Sequence, residues 1–301
     1  MQSREAIRNV YKLAFLLILI FTLFFAFSGI VASYNYEHVN VTSKVNVTNA
    51  GPEILNTYIS SPVVLNAGTT KIVYCNATIR DWNGFGDIDN VNATFYYHLN
   101  NSHDPDDNNV HYTNGSCEAI SDDGVYIANY SCSFEVYYYA NNGTWRCNIS
   151  ANDSYSYNAS NTTSNATINA LYALNVTDVI DYGDLSVTDT SGNITATVTN
   201  FGNVPINVSV LGYGVTQGDG VGLVCEYGSN ISVENQRFSG ALVSWDDKTL
   251  LGTENKDVEI TIGKQTEPLT QITANTYWQL YVPPNPFGLC TGTIRFTATT
   301  P

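Results

Sequence analysis

Ile194-Thr195-Ala196-Thr197-Val198-Thr199-Asn200-Phe201-Gly202-Asn203-Val204-Pro205-Ile206-Asn207-Val208-Ser209-Val210 carries the reading of the fold. On both sides of Asn200-Phe201-Gly202-Asn203 apolar residues alternate with polar ones. A period of two sends successive side chains to opposite faces of an extended chain, so each flank reads as a strand with one wet face. The stretch predicts strands at 193–199 and 204–211, paired across the turn. Working outward, the pattern recurs at 256–262, 277–282 and 291–297, with a further strand at 171–180. Nearer the N-terminus it marks 61–65, 71–80, 91–99, 125–134 and 145–151, punctuated by turn clusters at 100–109 and 141–143. Short strands with a turn about every ten residues predict β-sandwiches. No amphipathic stretch of helical period and length follows residue 33.

Composition agrees. The 301 residues include 35 Asn, 32 Thr and 21 Tyr, whereas Met occurs once. Turn formers, β-branched residues and aromatics in that excess point to an all-β chain. The length suits two domains after a targeting segment. A net charge of −15 repels nucleic acid, which is excluded as a partner.

The N-terminus reads as that targeting segment. Arg4, Arg8 and Lys12 precede an uncharged run over 13–33. Cut after Val31-Ala32-Ser33 it is a signal peptide; kept, it is long enough to anchor the chain in a membrane. Either way the basic side stays inside and residues 34–301, with 9 basic and 26 acidic residues, are expected outside the cytoplasm. The expected organisation is 1–33 signal or anchor, 34–50 extended linker, 51–168 first sandwich and 169–301 second sandwich. The boundary is set by 152–165, poor in core residues and dense in sequons.

Two features support export. Asn-x-Ser/Thr occurs seventeen times, at Asn40, Asn46, Asn76, Asn92, Asn100, Asn114, Asn129, Asn142, Asn148, Asn152, Asn158, Asn161, Asn165, Asn175, Asn193, Asn207 and Asn230. Chance at this composition supplies about six or seven, so glycosylation of several sites is expected. The six cysteines, Cys75, Cys117, Cys132, Cys147, Cys225 and Cys290, include no C-x-x-C pair. An even count without zinc or thioredoxin spacing favours disulfides in an oxidising compartment.

Two stretches resemble known families. Asn141-Asn142-Gly143-Thr144-Trp145-Arg146-Cys147 resembles the immunoglobulin signature D-x-G-x-Y-x-C, with Asn for Asp and Trp for Tyr. That resemblance implies an Ig-like sandwich in which Cys75 is the strand partner of Cys147. Cys117 then pairs with Cys132 across a hairpin turning at Asp122-Asp123-Gly124, and Cys225 is left with Cys290. Trp82, seven residues after Cys75, departs from the family pattern. The stretch 198–208 is similar to the VTNTGNxPxxV strand-turn-strand of archaeal and bacterial envelope proteins. Residues 277–283 with 292–298 look like the closing hairpin of the same modules, which recur in surface-layer-associated and camelysin/TasA-like proteins. With the sequons, the resemblance implies an archaeal cell-surface glycoprotein of two tandem Ig-like β-sandwich domains, and it brings no catalytic residue.

Sites for chemistry are few. His98, His103 and His111 with Asp104 and Asp106 read as a solvated hairpin tip rather than a zinc site. Asp81, Asn83, Asp87 and Asp89 space oxygen side chains around two turn glycines, a pattern open either to structural calcium or to a plain turn. No other cofactor is expected. Tyr96-Tyr97 and Tyr137-Tyr138-Tyr139 are either a sugar-stacking face or ordinary strand alternation.

The expectation is a non-enzymatic, exported cell-surface glycoprotein with a structural or adhesive role in the envelope. Its partners would be other envelope proteins or glycans, and the membrane through 13–33 if that segment is retained. Alternatives are a subunit of an extracellular fibre that lends 34–50 to a neighbour's sheet edge, and a secreted carbohydrate-binding protein or hydrolase.

Overall fold

The structure is a computed structural model that describes residues 3–27 and 38–301, so Val31-Ala32-Ser33 lies outside the described residues. The chain divides into two compact units, Met1–Thr48 and Asn49–Pro301.

In the first unit, helix α1 (Ser3–Phe27) takes in the basic residues and the apolar run as far as Phe27; the remainder of that run lies outside the described residues. Its span Arg4–Phe24 is long and apolar enough to cross a membrane, with a mean hydropathy of 1.8. Residues 38–48 form no helix or strand.

The second unit is all-β. Its first eight strands are β1 (Glu53–Ile59), β2 (Thr70–Arg80), β3 (Ile88–Tyr97), β4 (His111–Asn114), β5 (Glu118–Asp122), β6 (Ile127–Tyr137), β7 (Gly143–Asp153) and β8 (Asn158–Ile168). They build two antiparallel sheets, ordered β1-β2-β6-β5 and β4-β3-β7-β8. Strict alternation sends Cys75, Ala77 and Ile79 of β2 inward to meet Trp145, Cys147 and Ile149 of β7. Trp145 has no exposed surface, stacks on Phe95 with ring centroids 4.7 Å apart, and donates its Nε1–H to the Asn141 carbonyl.

The remaining strands are β9 (Leu174–Val176), β10 (Ile194–Asn200), β11 (Ile206–Tyr213), β12 (Val221–Tyr227), β13 (Ile231–Ser232), β14 (Gln236–Ser239), β15 (Thr249–Leu250), β16 (Lys256–Ile262), β17 (Thr273–Leu280), β18 (Phe287–Thr291) and β19 (Thr293–Thr299). One sheet runs β15-β14-β17-β10-β9 and another β16-β11-β19, with β13-β12-β18 as a small third. A second core, around Trp278, Phe238, Val198 and Val208, lies between them.

Several expectations are corrected. β10 and β11 do not pair: β10 lies between β17 and β9, and β11 between β16 and β19. The stretch 200–203 is an arch between sheets rather than a hairpin, with the Asn200 carboxamide, at the end of β10, bonded to the arch itself and to the end of β16 in the other sheet. Nor does β11 keep one wet face, since Ser209 and Leu211 are buried with Val208 and Val210. β17 and β19 likewise belong to different sheets, so 277–283 and 292–298 form no hairpin. Residues 61–65 make only an isolated bridge, Val63 to Ile168, and 171–180 keeps strand geometry only at β9. The sequon-rich stretch 152–165, where no strand was expected, contains most of β8. Its small Ala166 and the following Ile168 supply a modest inward face that few large residues advertise.

Candidate functional site

All six cysteines are bridged: Cys75 to Cys147, Cys117 to Cys132 and Cys225 to Cys290. Cys75 and Cys132 are cross-strand neighbours in the β2–β6 register, yet each bonds away from the other. Cys75 points inward and crosses to β7, whereas Cys132 reaches the residue that precedes β5. The turn that feeds this second bridge is held by Asp123, whose Oδ1 accepts the backbone N–H groups of Val125, Tyr126 and Ile127, all at 2.9 Å.

At one end of the first sandwich three carboxylates converge. Asp81 follows the last residue of β2, Asp87 closes a 3-10 turn (Phe85–Asp87) before β3, and Asp153 ends β7. One oxygen of each lies within 4.8 Å of the others. Asp81 has no exposed surface and Asp153 is 2% exposed. Asp81 Oδ1 accepts the Asn83 N–H at 2.8 Å, while Oδ2 has no partner; Asp87 Oδ2 is likewise buried and unpartnered. Burial holds the Asp81 carboxyl above the usual carboxylate range against the pull of the Asn83 N–H, and the charges of Asp87 and Asp153 push it the same way. Asp153 is better satisfied, with Oδ1 accepting the N–H groups of Tyr155 and Tyr157 at 2.9 Å and Oδ2 the Asn49 side chain at 2.6 Å.

Of the residues singled out in the sequence, the fold thus brings together Asp81 and Asp87. Asn83 is turned to the linker, its Oδ1 accepting the Ala50 N–H at 2.7 Å, and Asp89 is exposed, accepting from Asn152 at 3.3 Å. Asp153 was missed because it stands more than sixty residues away, and only the β3–β7 register, which sets Ile88 opposite Asp153, reveals it.

The histidines do not converge. His111 is buried and pairs through Nδ1 with Asp106 Oδ1 at 3.0 Å, whereas His98 lies against the Thr144 carbonyl and His103 against Ser102. Trp82 is exposed beneath the Arg80 guanidinium.

The tyrosine run lies where the two sandwiches meet. Tyr138 and Tyr139 are buried, and only Tyr137 is exposed. Tyr138 packs edge-on against Phe201 and donates to Gln265 Oε1. Lys264 donates to Asn109 Oδ1 at 3.0 Å, to the Tyr139 carbonyl at 3.1 Å and to Asn141 Oδ1. Burial pushes the Lys264 ammonium below its usual range, and nearby Asp107 partly offsets this. On the arch, Asn200 Nδ2 donates to the carbonyls of Val204, Ile262 and Gly263, and its Oδ1 accepts the Gly202 N–H at 2.8 Å. Asn203 clamps the connecting chain, accepting the Leu171 N–H and donating to the Asn169 carbonyl. A Cβ on Gly202 would stand 2.0 Å from the Leu171 carbonyl oxygen, so only glycine lets these backbones approach. Gly68, at φ +68°, leaves the space that the Phe201 ring fills.

No protein family matches the chain, and no curated protein does. Among solved structures, it is similar to the CsuC–CsuE chaperone–tip adhesion subunit pre-assembly complex of Acinetobacter baumannii Csu pili. The identity is 9% and the TM-score 0.40, over 81% of this chain and 100% of that one. A chimeric titin Z1Z2 matches at 12% identity and TM-score 0.22, over 76% of this chain and 96% of that one. The C-terminal domain of the Streptococcus agalactiae AgI/II polypeptide BspA matches at 10% and TM-score 0.21, over 80% and 91%.

Proposed function

We propose that the chain is an exported, non-enzymatic β-sandwich glycoprotein of the cell surface, with a structural or adhesive role in the envelope. The observation that carries this reading is a membrane-length helix followed in the same chain by β-sheets closed by three disulfides. Disulfides persist outside the reducing cytoplasm, and the basic end of the helix stays within it. The polar joint around Lys264, Asn200 and Asn203 supports a load-bearing or presenting role, because it holds residues 49–301 as one compact body.

Glycosylation is supported by where the asparagines lie. None of the seventeen sequon asparagines is buried, whereas the buried asparagines among the described residues, Asn109, Asn200 and Asn203, are all outside sequons. Asn92, Asn148, Asn152, Asn158 and Asn165 share the outer face of the β3-β7-β8 sheet by register. On an archaeal surface these would carry the sugars. The test is unreduced mass spectrometry of native protein from the membrane fraction. Sugar-modified peptides and three cystines are expected; six reduced thiols with bare asparagines refute the proposal.

A second reading, assembly by strand donation, is favoured by one observation. Val39, Val41, Val45 and Val47 alternate with polar residues along 38–48, and each is at least 80% exposed. That is the side-chain period of a strand without a sheet. The edge strand β19, paired only on its β11 side, would accept such a segment from a second copy. Filaments that vanish when the four valines become aspartate support this reading, and a monomer at high concentration removes it.

A further inference from the structure

We infer that Asp81, Asp87 and Asp153 form a binding site for a hard divalent cation of the calcium class, which fastens the chain where it enters the first sandwich. Three carboxylates here share one end of two facing sheets without a lysine or arginine among them, and no ion pair among the described residues includes any of the three. A cluster of acids alone says little. The Asp81 side chain adds an independent signal: it has no exposed surface, and its Oδ2 is buried with nothing to bond. A buried carboxylate oxygen left unsatisfied is destabilising, and buried charges are ordinarily paired or bound to a metal. Asp87 repeats the signal with a second orphaned oxygen.

The donor chemistry selects the ion. All the donors are oxygens, the set that suits calcium or magnesium, whereas zinc takes imidazole and thiolate. Two ligands on one calcium, each about 2.3–2.6 Å from it, stand at most about 5 Å apart. The 4.8 Å within which the three oxygens fall meets that limit. Irregular loop ligands with carboxylates from separate strands suit the flexible coordination of calcium better than the strict octahedron of magnesium.

The position gives the site its consequence. Asp153 Oδ2 holds the Asn49 side chain, Asn83 holds the Ala50 N–H, and Gly51 passes so close to Tyr157 that a Cβ would stand 2.9 Å from it. The residues that would bind the ion, or lie within four positions of those that do, therefore also grip 49–51. Removal of the ion leaves three like charges facing one another and loosens that grip.

The test uses the full-length chain in detergent, stripped with EDTA and titrated with calcium, magnesium or zinc chloride, read by calorimetry and thermal unfolding. One calcium per chain is expected, with a dissociation constant of about 10⁻⁴–10⁻³ M, the range of extracellular modules, and a raised Tm. Asp87→Asn is expected to weaken calcium binding at least tenfold. In EDTA the same variant should melt at or above the wild type, since it relieves repulsion, a result that a merely misfolded variant cannot give. Proteolysis at 49–51 should slow when calcium is added. No calcium heat and no Tm change up to 10 mM, roughly ten times the weak end of that range, overturns the inference. So does tighter binding of zinc, or a loss of stability in Asp87→Asn that is equal with and without calcium.

Discussion

Asn200→Ala tests whether the arch is what the second sandwich hangs on. Asn200 has no exposed surface, and its carboxamide bonds three carbonyls and one N–H drawn from both flanks of the arch and from the 262–263 turn. Truncation leaves the buried Gly202 N–H without an acceptor, at about 1–3 kcal/mol, and removes the two donated N–H groups, each worth about 1 kcal/mol net. The expected loss is therefore about 3–5 kcal/mol. Guanidinium unfolding measures it, and hydrogen exchange locates it, with protection falling first at 200–206 and 262–263. Thr197→Val is the control, because the Thr197 hydroxyl bonds Asn275 on an exposed face and its removal should change stability by no more than about 0.5 kcal/mol. A loss below about 1 kcal/mol for Asn200→Ala, or one equal to the control, would falsify the claim that this side chain organises the arch.

Other outcomes follow from the same geometry. Lys264→Met removes a charged donor from three acceptors at the joint and is expected to cost about 2 kcal/mol, with faster protease cleavage at 169–173 as the readout. Opening Cys75–Cys147, with a separation of 72, should cost about 4 kcal/mol by loop entropy, and opening Cys117–Cys132, with a separation of 15, about 3 kcal/mol. Equal losses on denaturation would contradict that ranking. Asp219 accepts four backbone N–H groups, chiefly that of Val215, which lower its pKa to about 2. A depressed carboxylate stabilises the fold above the unfolded pKa, and this is lost as pH falls through the folded value. The stability gap between wild type and Asp219→Asn should accordingly be full near pH 6 and close towards pH 2.

What the sequence disclosed was local. Alternation placed β2, β6, β7, β10, β16 and β17 within a few residues, because one face of each meets a core and the pattern records it. β8 escaped because its inward side chains are small, β5 and β15 because they are short edge strands with nothing buried, and β4 because four residues, with His111 and Tyr112 buried side by side, show no alternation. Pairing was less legible than position. The 198–208 stretch reads equally well as a hairpin or an arch, since both put apolar residues on alternate positions; the choice rests on Asn200 bonding residues 62 and 63 positions away. The carboxylate cluster shows the same limit. Asp81 and Asp87 share a loop that can be read in one dimension, whereas Asp153 joins them only through strand register.

The Cys75–Cys147 bond also changes how the molecule would respond to a pull. A force applied between the N-terminal helix and the far end of the chain enters at β1 and meets the covalent crossing at residue 75. From there it passes straight to residue 147, so β3 to β6 bear no tension. The 72-residue separation withholds roughly 240 Å of contour length, and the 65-residue separation of Cys225–Cys290 roughly 220 Å more. Stretched, the chain would yield only along 49–75, 147–225 and 290–301, and the length held behind the two bonds could be drawn out only by a reductant.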